Sequence, residues 1–99
     1  MICAHTVRRL KSGTFDQFAA AFMPEGMEPP PGLVRFTMLR SLANPDEVIT
    51  FGLFDSTPEQ LATMQTGGYD EPIARISPFV DAVVLNGVYE VVVEETPGG

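Results

Sequence analysis

The chain has 99 residues, 44% of them apolar, which is enough to bury the core of one domain. Six Lys+Arg against thirteen Asp+Glu give a formal charge of −7. An acidic surface repels phosphate backbones and anionic lipids, so nucleic acid and membrane surfaces are poor partners.

Residues 2–10 (Ile-Cys-Ala-His-Thr-Val-Arg-Arg-Leu) lack helix signals and suit a first strand. Arg8 and Arg9 follow the apolar stretch, the reverse of a secretory signal. Cys3 is the one cysteine and cannot close an internal disulfide, which fits a reducing compartment. No apolar run approaches the roughly 20 residues of a membrane helix. A cytoplasmic protein is expected.

Lys11-Ser12-Gly13 reads as a turn, and Thr14 opens a helix. Thr14-x-x-Gln17 fits a capping box, in which each side chain answers a free backbone N–H of the first turn. Phe15, Phe18, Ala19 and Phe22 then form one apolar stripe, and Pro24 ends the helix. Residues 24–32 are a loop, because three successive prolines remove donors and fix φ. Strand two spans about 33–42, with Phe36 and Met38 opposite Leu33, Thr37 and Leu39. Asn44-Pro45-Asp46 supplies type I turn chemistry, and strand three follows over about 47–54 as an antiparallel hairpin partner.

Asp55-Ser56-Thr57-Pro58 starts a second helical region, and Thr57-x-x-Gln60 repeats the capping-box pattern. Leu61 and Met64 mark its buried side, and Gly67-Gly68 breaks it. A further helical piece is predicted from Asp70 to Ile76, before Pro78. Residues 82–94 are strand-rich. Asn86-Gly87 inside them signals either a hairpin turn or a bulge in one long strand. Residues 1–95 are expected to form the domain and 96–99 a disordered tail.

This β-α-β-β-α-β order defines an α+β, ferredoxin-like fold: a four-stranded antiparallel sheet with helices on one face. The strands are apolar on both faces; in strand three, Val48 and Phe54 lie opposite Ile49, Phe51 and Leu53. Two helices cover one face only. The other would exceed the roughly 300–600 Å² of apolar patch usual on monomers, so a homodimer with sheet against sheet is expected.

The stretches Val7-Arg8-Arg9-Leu10-Lys11-Ser12-Gly13, Pro31-Gly32-Leu33-Val34-Arg35 and 45–55 (Pro-Asp-Glu-Val-Ile-Thr-Phe-Gly-Leu-Phe-Asp) resemble the dimeric α/β-barrel proteins, especially the antibiotic-biosynthesis-monooxygenase-like group. The resemblance implies two sheets closing into a dimeric α/β barrel, with a pocket between sheet and helices in each subunit. Members include cofactor-free oxygenases, haem-degrading enzymes, isomerases and cyclases, so the fold does not choose a reaction. The haem-degrading branch uses Asn, Trp and His as a set. This chain has no Trp, and Thr6 stands near the strand-one position of the Asn, which sets that branch aside.

The candidate catalytic residues are His5, the one histidine, as a base, and Tyr69, which the Gly67-Gly68 break can hang over a pocket. The stress-responsive barrels also resemble this chain and carry a strand-one histidine; His5 lies one position off that pattern, and a one-residue shift reverses the face. Tyr89 is a second phenol in reach of a pocket. Arg35 and Arg40 lie five apart and therefore point to opposite faces; one is the candidate contact for an anionic ligand. Arg35, Phe18, Phe22, Met27 and Met64 are the candidate ligand-binding set, with Met23 and Met27 on a lid loop. No metal and no cofactor are expected, since no metal-ligand spacing, phosphate loop or nucleophile elbow is present. Two functions follow: a cofactor-independent monooxygenase-like or cyclase-like enzyme acting on an apolar, aromatic molecule, or a non-catalytic dimeric domain that binds one.

Overall fold

A computed structural model describes residues 1–22, 26, 29–60, 70–95 and 97 of the chain. Its elements are β1 (Ile2–Leu10), α1 (Phe15–Phe22), β2 (Leu33–Arg40), β3 (Glu47–Phe54), α2 (Asp70–Ile76), a 3-10 turn (Ser77–Phe79) and β4 (Val80–Glu90). The four strands form one antiparallel sheet in the order β2-β3-β1-β4. This is the ferredoxin-like arrangement expected from the order of the elements. Among the described residues no helix is long and apolar enough to cross a membrane.

Register divides the sheet into two faces. β1 pairs with β3 through Ile2↔Phe54, Ala4↔Gly52, Thr6↔Thr50 and Arg8↔Val48. Leu10, Phe18, Val48 and Ile76 form one buried cluster, which places the helices on this even-numbered side of β1 and β3. Ile2 and Phe54 form a second cluster with Ala4 and Leu33 at the other end of that face. The odd-numbered residues Cys3, His5 and Val7, with Ile49, Phe51 and Leu53, face away from the helices. β3 shows this division plainly: Val48, Thr50, Gly52 and Phe54 are buried, while the residues between them are half-buried.

Local chemistry fixes the ends of the elements. The Glu47 N–H donates to the Asn44 carbonyl at 3.0 Å, which closes the expected turn around Pro45. The second capping box forms as predicted: the Thr57 N–H donates to Gln60 Oε1 at 3.0 Å, and the Gln60 N–H donates to Thr57 Oγ1 at 3.2 Å. The first does not. Thr14 turns its hydroxyl back to donate to the Lys11 carbonyl at 2.7 Å, because Gly13, at φ 74°, curls the chain tightly enough to bring that carbonyl near. Arg75 of α2 donates from Nε to the Ala21 carbonyl at 3.2 Å, supplying a cation to the end of α1, which has no basic residue of its own there.

Other sequence expectations need correction. Asn86-Gly87 is neither a hairpin turn nor a bulge. Asn86 pairs with Thr6 and Gly87 with His5 in an uninterrupted stretch of β4, and the irregularities lie between Val7 and Arg8 and between Arg9 and Leu10. Gly87 serves space rather than turning: a Cβ there would stand 2.9 Å from the Tyr89 hydroxyl, because the Tyr89 ring lies back across it. Leu33 was expected opposite Phe36 and Met38. A register shift between Leu33 and Arg35 returns it to their face, where it packs against the Ile2–Phe54 cluster. Strand two also ends at Arg40 and strand four at Glu90, short of their expected ends at 42 and 94. The expected tail at 96–99 lies outside the described residues except for Pro97.

Candidate functional site

Between the two core clusters, the helix-side face of the sheet changes character. Thr6, Thr50, Gly52 and Asn86 occupy it, and all are short or polar. Thr6 Oγ1 donates to Asn86 Oδ1 at 3.1 Å across the β1–β4 ladder. Gly52 is held to a hydrogen by its neighbours, since a Cβ would meet the Phe54 ring at 3.0 Å and Leu33 at 3.1 Å. This strip presents short and polar side chains where a continuous core would put Leu or Ile.

Arg8 crosses this strip. It is 7% exposed, and its Nη1 donates to Thr50 Oγ1 at 2.9 Å in a buried hydrogen bond. Its guanidinium lies 5.9 Å from the Phe18 ring centroid and 5.5 Å from that of Phe22. Phe22 in turn stacks on Phe36 of β2, with centroids 5.3 Å apart. α1 thus brings an aromatic wall to a buried cation. Burial lowers the Arg8 pKa from its ordinary value, and the side chain stays cationic at neutral pH.

The residues predicted from sequence separate. Phe18 and Phe22 come together at α1, with Phe18 fully buried in the core. Arg35 pairs with Leu53 on the opposite face and is exposed, so it does not share a site with them. Arg40 does point to the helix side, as its offset from Arg35 required. It is committed to structure: Nε donates to the Pro45 carbonyl at 2.9 Å, and the guanidinium sits 4.3 Å from the Phe15 ring centroid. Tyr69, Met23, Met27 and Met64 lie outside the described residues.

His5 belongs to the face turned away from the helices. It stacks on Phe51 at 6.3 Å and meets Tyr89 edge-on at 6.0 Å, and its Nδ1 is buried without a hydrogen-bond partner. A shallow concavity of about 320 Å³ lies elsewhere, lined by Leu39, Arg40, Ser41, Glu47 and Ile49 near the β2–β3 turn. His5 does not line it.

Sequence reasoning passed over Arg8 and Thr50. The signal was present: Arg8 shares its strand face with Ile2 and Leu10, so a charged residue stands at a core-facing position.

The solved structures that resemble this chain define the fold class. A candidate antibiotic biosynthesis monooxygenase from Chloroflexus aurantiacus superposes with a TM-score of 0.74 at 20% identity, covering 98% of each chain. Another from Deinococcus radiodurans gives 0.75 at 12% identity over the full length of both. SnoaB, a cofactor-independent oxygenase from Streptomyces nogalater, gives 0.62 at 13% identity, covering 99% of this chain and 97% of its own. The chain therefore has the ferredoxin-like fold of the antibiotic-biosynthesis-monooxygenase-like proteins. No protein-family model matches it, and no curated protein matches it by sequence.

Proposed function

We propose that the chain is a dimeric α/β-barrel protein that holds a small aromatic molecule between α1 and the sheet and acts as a cofactor-independent, monooxygenase-like enzyme. The observation that supports the ligand site is the break in the core, where Thr6, Thr50, Gly52 and Asn86 stand on the helix-side face between the two apolar clusters, on the same side of the sheet as Phe18, Phe22 and Phe36. SnoaB, a cofactor-independent oxygenase of the same fold, supports the chemistry. In that chemistry an electron-rich substrate supplies the electrons, molecular oxygen accepts them, and the protein binds, orients and excludes water. The apolar outer face supports the dimer: Leu39, Leu85 and Tyr89 stand nearly half exposed on it, and Cys3, Ile49, Phe51 and Leu53 lie between them.

A second reading, a non-catalytic binding domain, draws support from His5. Its ring contacts with Phe51 and Tyr89 keep the one histidine away from the helix-side strip, on the face through which the proposed dimer would pack. One experiment separates the two. Phenols and dihydroxynaphthalenes are screened by thermal shift, and binders are tested for oxygen uptake above the spontaneous rate. Uptake supports the enzyme, binding without uptake supports the binding domain, and no binding removes both.

A further inference from the structure

We infer that Arg8, with Thr50 beside it, is an anion-holding pair, and that the molecule bound between α1 and the sheet is an aromatic oxyanion, a carboxylate or an acidic phenol. This rests on the proposal that the helix–sheet interior is the ligand site. A guanidinium taken out of water is costly unless an opposite charge or a full set of acceptors replaces the lost solvation. Arg8 is 7% exposed and has neither among the described residues. Its partners there are one neutral hydroxyl, on Thr50, and two ring faces, on Phe18 and Phe22.

The chain does not lack acids, with thirteen Asp and Glu against six Lys and Arg. A charge with no acidic partner among the described residues, at the centre of a strip with short neighbours, leaves the N–H donors that Thr50 does not take for an incoming oxyanion. The aromatic wall then matches the remainder of the ligand: Phe22 neighbours both the Arg8 guanidinium and the Phe36 ring. Arg40 shows the contrast. It too sits by a phenylalanine ring, but its Nε is tied to a backbone carbonyl at the protein surface.

The test compares 2-naphthoate with its uncharged counterpart 2-naphthamide by calorimetry at pH 7. The wild type should bind naphthoate at least about tenfold more tightly, the gain of one charge-assisted contact. Arg8→Met should erase this preference while keeping the amide affinity, Arg8→Lys should restore part of it, and Arg35→Met should leave it intact. Thr50→Val provides a route that retains the charge: it should lower the naphthoate-to-naphthamide ratio by loosening the guanidinium. Equal binding of the two probes to the wild type overturns the inference and leaves the ligand site standing. So does a preference that survives both Arg8→Met and Thr50→Val, or one that is lost in Arg35→Met. Failure of both probes to bind overturns the ligand site and the inference together.

Discussion

Tyr89 meets His5 edge to face, with ring centroids 6.0 Å apart and planes at 88°, and Phe51 lies on the other side of the same imidazole at an interplanar angle of 22°. The three rings form a row across β4, β1 and β3 on the sheet face that no helix covers among the described residues. If two copies pack through this face, a charge in the row is the most damaging change. Phe51→Asp should convert a dimer, measured by sedimentation equilibrium at micromolar concentration, into a monomer or an unfolded chain. A wild type that sediments as a monomer defeats the dimer outright.

The same row explains Gly87 and separates it from Gly52. A methyl group at Gly87 meets the tip of the Tyr89 ring, the far end of a side chain that is nearly half exposed in the single chain. A methyl at Gly52 meets Phe54 and Leu33, which belong to a core cluster. Gly52→Ala should therefore cost about 1–3 kcal/mol, and Gly87→Ala less than about 1 kcal/mol, in urea denaturation. Equal losses would show that Tyr89 is as fixed as Phe54.

Cys3 lies on the uncovered face, paired with Leu53 and Tyr89, and burial pushes its thiol pKa up. Desolvation favours the neutral thiol in the folded state. The folded pKa is thus above the unfolded one, so this contribution to stability is complete below the unfolded pKa and is lost as pH rises through the folded value. Alkylation by iodoacetamide needs the thiolate. It should be slower in the native protein than in the urea-unfolded chain at the same pH, with the rate profile displaced to higher pH. A native profile at or below the unfolded one contradicts the assignment.

The order of elements was legible because each is specified locally. β1 spans Ile2–Leu10, β3 spans Glu47–Phe54 and α2 spans Asp70–Ile76, all as read from pattern, and the Thr57–Gln60 box formed as its residue types dictate. The errors arose where a distant partner decides. Asn86-Gly87 has strong turn chemistry, but pairing with Thr6 and His5 of β1 holds it extended. Leu33 changed face because of a register shift that no residue type announces. The site suffered most. Arg35 was chosen for its charge, whereas register sends it to the face opposite Phe18 and Phe22. Arg8 stands in the sequence on the strand face of Ile2 and Leu10, but which residues it meets there appears only once Val48 and Thr50 lie beside it.

The Arg8–Thr50 contact gives a stability test that needs no ligand. Thr50→Val leaves a buried guanidinium without its hydroxyl and should cost about 1–3 kcal/mol. Arg8→Met leaves the Thr50 hydroxyl, itself buried, without its donor and should also destabilise. The double variant Arg8→Met/Thr50→Val removes both polar groups and restores an apolar contact. It should return to within about 1 kcal/mol of the wild type or exceed it, as replacements of buried charged groups often do. The expected cycle is therefore strongly non-additive, read by urea denaturation of the four proteins. If Arg8 were a structural brace, the double variant would be the least stable of the four. If it is retained at a cost to stability, removing it together with Thr50 relieves that cost, the pattern expected of a residue kept for what it binds.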